Sequence, residues 1–384
     1  MNTEDLLTLS SNLLFISFLI LLITILPLGL SVKSKGRKFS FLGILLTYVA
    51  FILQLGYFIT RWIAVNHAPV SNMFEFVTFF GIMLIGSFIL IYHIYKQIVV
   101  GLFVVPIALI IIGYGSVFSN EVNPLVPSLQ SNWLTIHVIT VAISSAILSI
   151  SFATSLIYLL RVLDVKKKTI NTRSLEFVMY CLIVVIGFIG ASTVFGIFME
   201  KVTIQYTNAQ NVLDKAIYKM HPLVVYENDL GLGIITIPNT IDAVKLNSIV
   251  WAFLVGTILY LCIRIVARSS ISALLKPLTS RVNPNLMDEV SYRAIIIGYP
   301  LFSLGGLVFA MIWAQIAWGR YWGWDPKEVW ALITFLFYAA LMHLRISKNW
   351  EGERTAWMAI IGFGIIVFNQ VFVNLVIAGL HSYA

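Results

Sequence analysis

The chain has 384 residues, of which 59% are hydrophobic and 11% charged, with a mean hydropathy of +0.93. That composition excludes a soluble globular domain and describes a polytopic membrane protein. The net charge of +8 collects in short connections between apolar stretches, so it reads as a topogenic bias rather than a nucleic-acid-binding surface.

Apolar stretches long enough to cross a bilayer as helices recur along the chain. Ten spans are predicted, at 12–32, 39–61, 74–95, 98–117, 134–160, 176–198, 247–267, 294–317, 328–344 and 355–378. Glu4 and Asp5 precede the first apolar run and basic residues follow it, the reverse of a cleaved leader. The connections at 33–38, 96–97, 161–175, 268–293 and 345–354 hold most of the Lys and Arg, among them Lys33, Lys35, Arg37, Lys38, Lys166, Lys167, Lys168 and Arg173. They belong on the cytoplasmic side, which places both termini outside. The expected fold is an all-α membrane bundle in three parts. Residues 1–198 hold the first six helices, 199–246 form an external loop module of mixed helix and strand, and 247–384 hold the remaining helices. The connection at 268–293 is polar and expected to be partly helical. Cys181 and Cys262 lie inside spans and read as reduced packing residues. No CxxCH is present, so the chain does not itself carry covalently attached haem.

The segment from Trp318 to Trp330 carries the chemistry. It packs Trp318, Tyr321, Trp322, Trp324 and Trp330 into thirteen residues between two spans. Asp325-Pro326-Lys327-Glu328 reads as a helix start: a capping Asp, a Pro at the first helical position, and a Glu three residues after the cap. Interfacial anchoring accounts for one or two of the indoles. Their density, with Gly319 and Gly323 removing side chains between them, points to a stacking platform for a large planar ligand.

The six histidines separate by depth. His137 opens span five, His381 follows span ten, and His67 and His221 lie in external loops. His343 closes span nine, thirteen residues past Trp330, or about 20 Å deeper at 1.5 Å per residue. His93 is at a similar level on span three. Two axial nitrogens on one haem iron lie only about 4 Å apart. His343 therefore shares no iron with His137 or His381, whereas His137 and His381 flank the tryptophan segment and can. On the residues alone, these three read equally as wetted interfacial residues or as ligands, and His67, His93 and His221 read as structural or surface residues.

Further stretches join these: His67-Ala-Pro-Val-Ser-Asn-Met-Phe-Glu75, Trp133-Leu-Thr-Ile-His137, His343-Leu-Arg-Ile, Gly352-Glu-Arg, Val373-Asn-Leu and Gly379-Leu-His-Ser-Tyr383. Together with the tryptophan segment, a WWD signature, they resemble the CcsA/ResC family of System II cytochrome c biogenesis, in order from about residue 60 onward. The resemblance implies haem b as ligand, with His137 and His381 as an external axial pair and His343 as an inner ligand. Trp318, Tyr321, Trp322, Trp324 and Trp330 are implied as the platform, with Trp318, Trp322, Trp324 and Asp325 at the site of reaction. It implies a CcsB/ResB-type partner that supplies the second inner ligand, apocytochrome c as the acceptor of haem at CxxCH, and thiol-reducing proteins as further partners. The chain would then be a subunit of a cytochrome c haem-lyase in a bacterial cytoplasmic or thylakoid membrane, with the tryptophan segment facing outward. Arg61, Arg320 and Lys327 are candidates to pair with haem propionates. Asp325 is also explained by its cap role. The alternatives are a haem exporter or carrier without ligation activity and a secondary transporter of another solute. The transporter reading lacks the internal repeat common in such folds.

Overall fold

The computed structural model describes residues 2–34, 37–122, 125, 127–207, 213–227, 233–238 and 242–373. His381 lies outside the described residues, as do Lys35, Asp229 and the 374–378 end of the tenth predicted span.

The helices, in chain order, are α1 (Thr3–Ser34), α2 (Arg37–Val65), α3 (Met73–Tyr95), α4 (Ile98–Gly115), α5 (Asn132–Val162), α6 (Ile170–Phe198), α7 (Ala243–Ala267), α8 (Ile271–Leu275), α9 (Pro284–Ser303), α10 (Ala310–Trp318), α11 (Pro326–Ser347) and α12 (Glu353–Phe368). A π-helical segment, Leu304–Phe309, joins α9 to α10, and a second, Asn369–Val373, continues α12. Among the described residues ten helical stretches are long and apolar enough to cross a membrane, at the ten predicted places. The eighth, Pro284–Trp318, begins ten residues earlier than predicted, because Asn283 caps it, Pro284 fills its first turn, and a polar stretch extends it.

The chain divides into two compact units, Met1–Leu163 with Lys276–Ala384, and Asp164–Leu275. In the first, α5 is the central element. Its stretch from Ser144 to Leu160 is almost wholly buried, and α9, α12 and α3 pack along it. The small residues Ser144, Ser145, Ser149, Ser151 and Ser155 let neighbours approach closely, as membrane bundles favour. Several satisfy themselves within the helix, as when the Ser149 hydroxyl donates to Ser145 O (2.7 Å). Ser155 bonds across to Ser291 of α9 (3.0 Å). Near the far end of α11 from Pro326, Asp288 of α9 pairs with Arg345 (2.7 Å) and accepts from Thr355 Oγ1 (2.9 Å), tying α9, α11 and α12 together.

The second unit holds α6, α7 and the short α8, with a strand module between α6 and α7 in the chain. Strands β1 (Val202–Thr207) and β2 (Leu213–Tyr218) pair antiparallel, while β3 (Val224–Tyr226) and β4 (Ile235–Ile237) pair parallel. The described residues of the module include these four strands, the strand part of the mixed helix and strand expected. Its short runs are rich in β-branched and aromatic residues. Ile204, Tyr218, Val224, Val225, Tyr226 and Ile237 form its own core, with Tyr206 stacked on Tyr226 at 3.9 Å. Buried Asn247 of α7 accepts from Leu223 N (2.8 Å) and Val224 N (3.2 Å), anchoring β3 to the helix. Cys181 and Cys262 are free thiols on exposed faces of α6 and α7, not in a packed core as expected.

Candidate functional site

The first unit holds a partly open cavity of about 170 Å³. It lies between the starts of α3 and α5, the π segment with α10, the loop 319–325, the start of α11, and Asn369 with Gln370. His137, Trp318, Tyr321 and Trp322 line it.

The His137 imidazole is held from two sides. Its Nδ1 lies 2.8 Å from Gly305 O. A carbonyl only accepts, so Nδ1 carries the proton, and in the neutral ring the lone pair is on Nε2. A metal-binding histidine characteristically donates its other ring N–H in this way, which fixes both tautomer and ring direction. Trp313, 2% exposed, stacks nearly parallel to the same ring, with centroids 5.9 Å apart at 10°. Gly305 belongs to the π segment, a widened turn of the kind that recurs at functional sites. A Cβ at Gly305 would lie 2.9 Å from the Thr140 side chain and 3.0 Å from Val141 N. The absent side chain is therefore what lets this carbonyl reach α5.

The tryptophan segment is a capped turn. Gly319 ends α10 in the left-handed region (φ 71°), and its N–H donates to Gln315 O (3.0 Å). Asp325 caps α11, with Oδ2 accepting from Lys327 N (3.2 Å). Glu328 Oε2 accepts from Gly323 N (2.7 Å) and Asp325 N (3.1 Å). The expected capping box is present, and the Glu also grips the residue before Trp324. Trp324, clamped between those two amides, has φ 59° and is 71% exposed. A left-handed conformation is costly for a bulky residue.

The aromatic rings do not share one plane. Trp318 meets Trp313 edge-on at 4.8 Å, and Trp322 meets Trp324 at 5.9 Å and 89°. Trp318 and Trp322 border the cavity, and so does Tyr321, although it is 61% exposed. Trp324 and Trp330 are not in its lining. Trp330 packs on Phe368 of α12 at 4.5 Å.

The segment from His67 to Glu75 forms another wall, through Val70, Ser71, Asn72 and Met73. Asn72 caps α3 by accepting from Glu75 N (2.9 Å). Glu75 in turn accepts from Ser71 N (3.0 Å), Ser71 Oγ (2.8 Å) and Arg61 Nε (2.8 Å), with both members of the ion pair 2% exposed. Arg61 also donates to Asn120 O (2.9 Å). It is thus buried in an ion pair and does not line the cavity, against its candidacy for a propionate. Arg320 is exposed and lies against Gly323. Lys327, half-buried, is the one of the three candidate cations that lines the cavity.

The other histidines lie elsewhere. His343 is exposed near the end of α11, with Nδ1 3.4 Å from Ser347 Oγ. Because α11 is continuous from Pro326 to Ser347, the depth estimate of about 20 Å below Trp330 stands. His93 is engaged at both nitrogens: Nδ1 donates to Ile89 O and Nε2 accepts from Tyr48 Oη, each at 2.9 Å. His67 donates Nδ1–H to Ala68 O (3.0 Å). The carbonyl of exposed His221 accepts from Trp251 Nε1 (2.8 Å). Trp313 and Gly305 escaped sequence reading. Nothing in a run of apolar residues marks which one will stack on a histidine.

Residues 170–381 match the family described as cytochrome C assembly protein. A cytochrome c biogenesis protein CcsA from Mesostigma viride is 31% identical over 96% of this chain and 94% of its own length. The CcsA of Gloeobacter violaceus is 30% identical over 87% of this chain and 84% of its own. That of Guillardia theta is 29% identical over 99% and 97%.

Proposed function

Because this chain belongs to the CcsA family of cytochrome c biogenesis proteins, we propose that its cavity holds haem b as the substrate to be attached to apocytochrome c. The observation that carries this is His137, oriented by Gly305 O and stacked on Trp313 at the wall of an aromatic-lined cavity. Its lone pair on Nε2 is the donor an iron needs, and the flanking indoles suit a flat apolar macrocycle. Among the described residues no three His, Cys, Asp or Glu side chains converge as a protein-built metal cage requires. One fixed imidazole suits a metal that brings its own ring of donors. His381 is the proposed second external ligand.

His343 is the proposed inner ligand. It is exposed on the bundle surface, so its ring is accessible to a histidine from a CcsB/ResB-type partner. Haem taken up there would move to the His137 cavity on the outward side, where CxxCH of apocytochrome c meets it. Each cysteine thiol adds across one vinyl group. One C–S bond forms, the thiol hydrogen ends on the adjacent vinyl carbon, and no electrons are gained or lost overall. This chain's part is positional, presenting the macrocycle with its vinyl groups accessible and the iron ligated.

Co-expression with a ResB-type partner and a CxxCH reporter tests the reading. Haem that stays with the reporter after denaturation, bound through thioethers, is the expected product. Reporter carrying only extractable haem would replace it with the carrier reading.

A further inference from the structure

We propose that Lys327 binds a carboxylate of the cavity's ligand and so sets which way that ligand lies; this rests on the haem reading above and deepens it. Three candidate cations were open on sequence, and the structure separates them. Arg61 is committed to Glu75 and Asn120 O, and Arg320 lies exposed against Gly323. Lys327 alone of the three faces the cavity.

Asp325 is the acid whose charge reaches Lys327. No ion pair to Lys327 occurs among the described residues. Both neighbouring acids accept from backbone N–H groups. Asp325 accepts from Lys327's own N–H, and Glu328, which also borders the cavity, accepts from Gly323 N and Asp325 N. The position is also locally unfavourable. Lys327 sits in the first turn of α11, where the helix dipole disfavours a cation, and Trp318, Trp322 and Ala331 border the same space. An ammonium in partly apolar surroundings is costly unless an anion meets it. A cation placed against local preference, in a cavity, with no ion pair among the described residues, is the pattern of a ligand-binding residue. A ligand suited to this lining has apolar surface and an anionic edge. Haem has that form, since its two propionates lie on one side of the ring.

The test crosses protein variants with ligand variants. Full-length protein in detergent is titrated with haem and with haem dimethyl ester, whose carboxylates are masked, and binding is read from the absorption spectrum. The wild type should prefer haem by roughly tenfold or more, the range of a charge-assisted hydrogen bond. Lys327→Met should erase that preference by weakening haem binding while leaving the ester unchanged, and Lys327→Arg should keep it. Unchanged ester binding also shows that the variant is folded. Equal weakening of both ligands by Lys327→Met would make the residue structural and overturn the proposal, as would a preference that survives the change. Failure of both ligands to give a His137-dependent spectrum in the wild type would instead overturn the haem reading, and this assignment with it.

Discussion

Replacing Gly305 with Ala probes the contact that orients His137. The added Cβ would sit 2.9 Å from the Thr140 side chain and 3.0 Å from Val141 N. Carbon atoms in ordinary contact stand about 3.5–4.0 Å apart, so the π segment and α5 must separate by roughly half an ångström or more. Neither contact lies at the end of a flexible side chain, so little of this can be absorbed locally. The His137 Nδ1 to Gly305 O bond, 2.8 Å at present, would stretch beyond the range of a good hydrogen bond, about 3.2 Å. Overpacking of this kind costs about 1–3 kcal/mol, and the weakened bond adds about 1 kcal/mol. Gly364→Ala in α12 is the control, since a Cβ there meets nothing within 4 Å. It should be neutral or stabilising by about 0.5–1 kcal/mol from helix propensity. Both variants would be followed by apparent melting temperature in detergent and by the absorption spectrum of bound haem. Gly305→Ala should melt lower and bind haem with a weakened histidine-ligated band. If the two variants behave alike in both assays, the reasoning about Gly305 fails.

Three further outcomes are expected. Glu75→Ala should destabilise the protein by about 3–5 kcal/mol, because it leaves Arg61 charged and buried; the double variant Arg61→Met, Glu75→Leu should recover only part, since Ser71 loses its acceptor too, and thermal unfolding reads both. Trp318→Ala and Trp322→Ala should lower haem retention during purification, while Trp324→Ala should leave it nearly unchanged, because Trp324 is exposed and not in the cavity lining. Trp324→Gly should be more stable than Trp324→Ala by about 1 kcal/mol, since glycine accepts φ 59° without steric cost; equal melting temperatures would argue that the turn relaxes in the variants.

Much of this architecture is written in hydropathy. All ten spans were legible because bilayer thickness imposes a length that composition cannot hide. The start of α11 was equally plain: Asp325, Pro326 and Glu328 each answer a local need of a helix end. What stayed hidden depends on non-local geometry. The π segment at Leu304–Phe309 leaves no periodic mark in an all-apolar stretch, so Gly305 looked like any membrane glycine. Trp313 is one more aromatic in a span until α5 brings His137 against it. The tryptophan-rich segment looked like one surface, yet Trp324 is left exposed in its turn and Trp330 packs on Phe368 of α12. Arg61 looked available to a propionate because its partner, Glu75, lies across a connection and on the next helix.

The central claim is that His137 ligates haem in this cavity. The most direct measurement is the absorption spectrum of the haem-loaded full-length protein against His137→Ala, each recorded with and without added imidazole. The account predicts a histidine-ligated spectrum in the wild type, its loss in the variant, and its return when imidazole fills the space the side chain left. A variant whose spectrum matches the wild type without imidazole would contradict it.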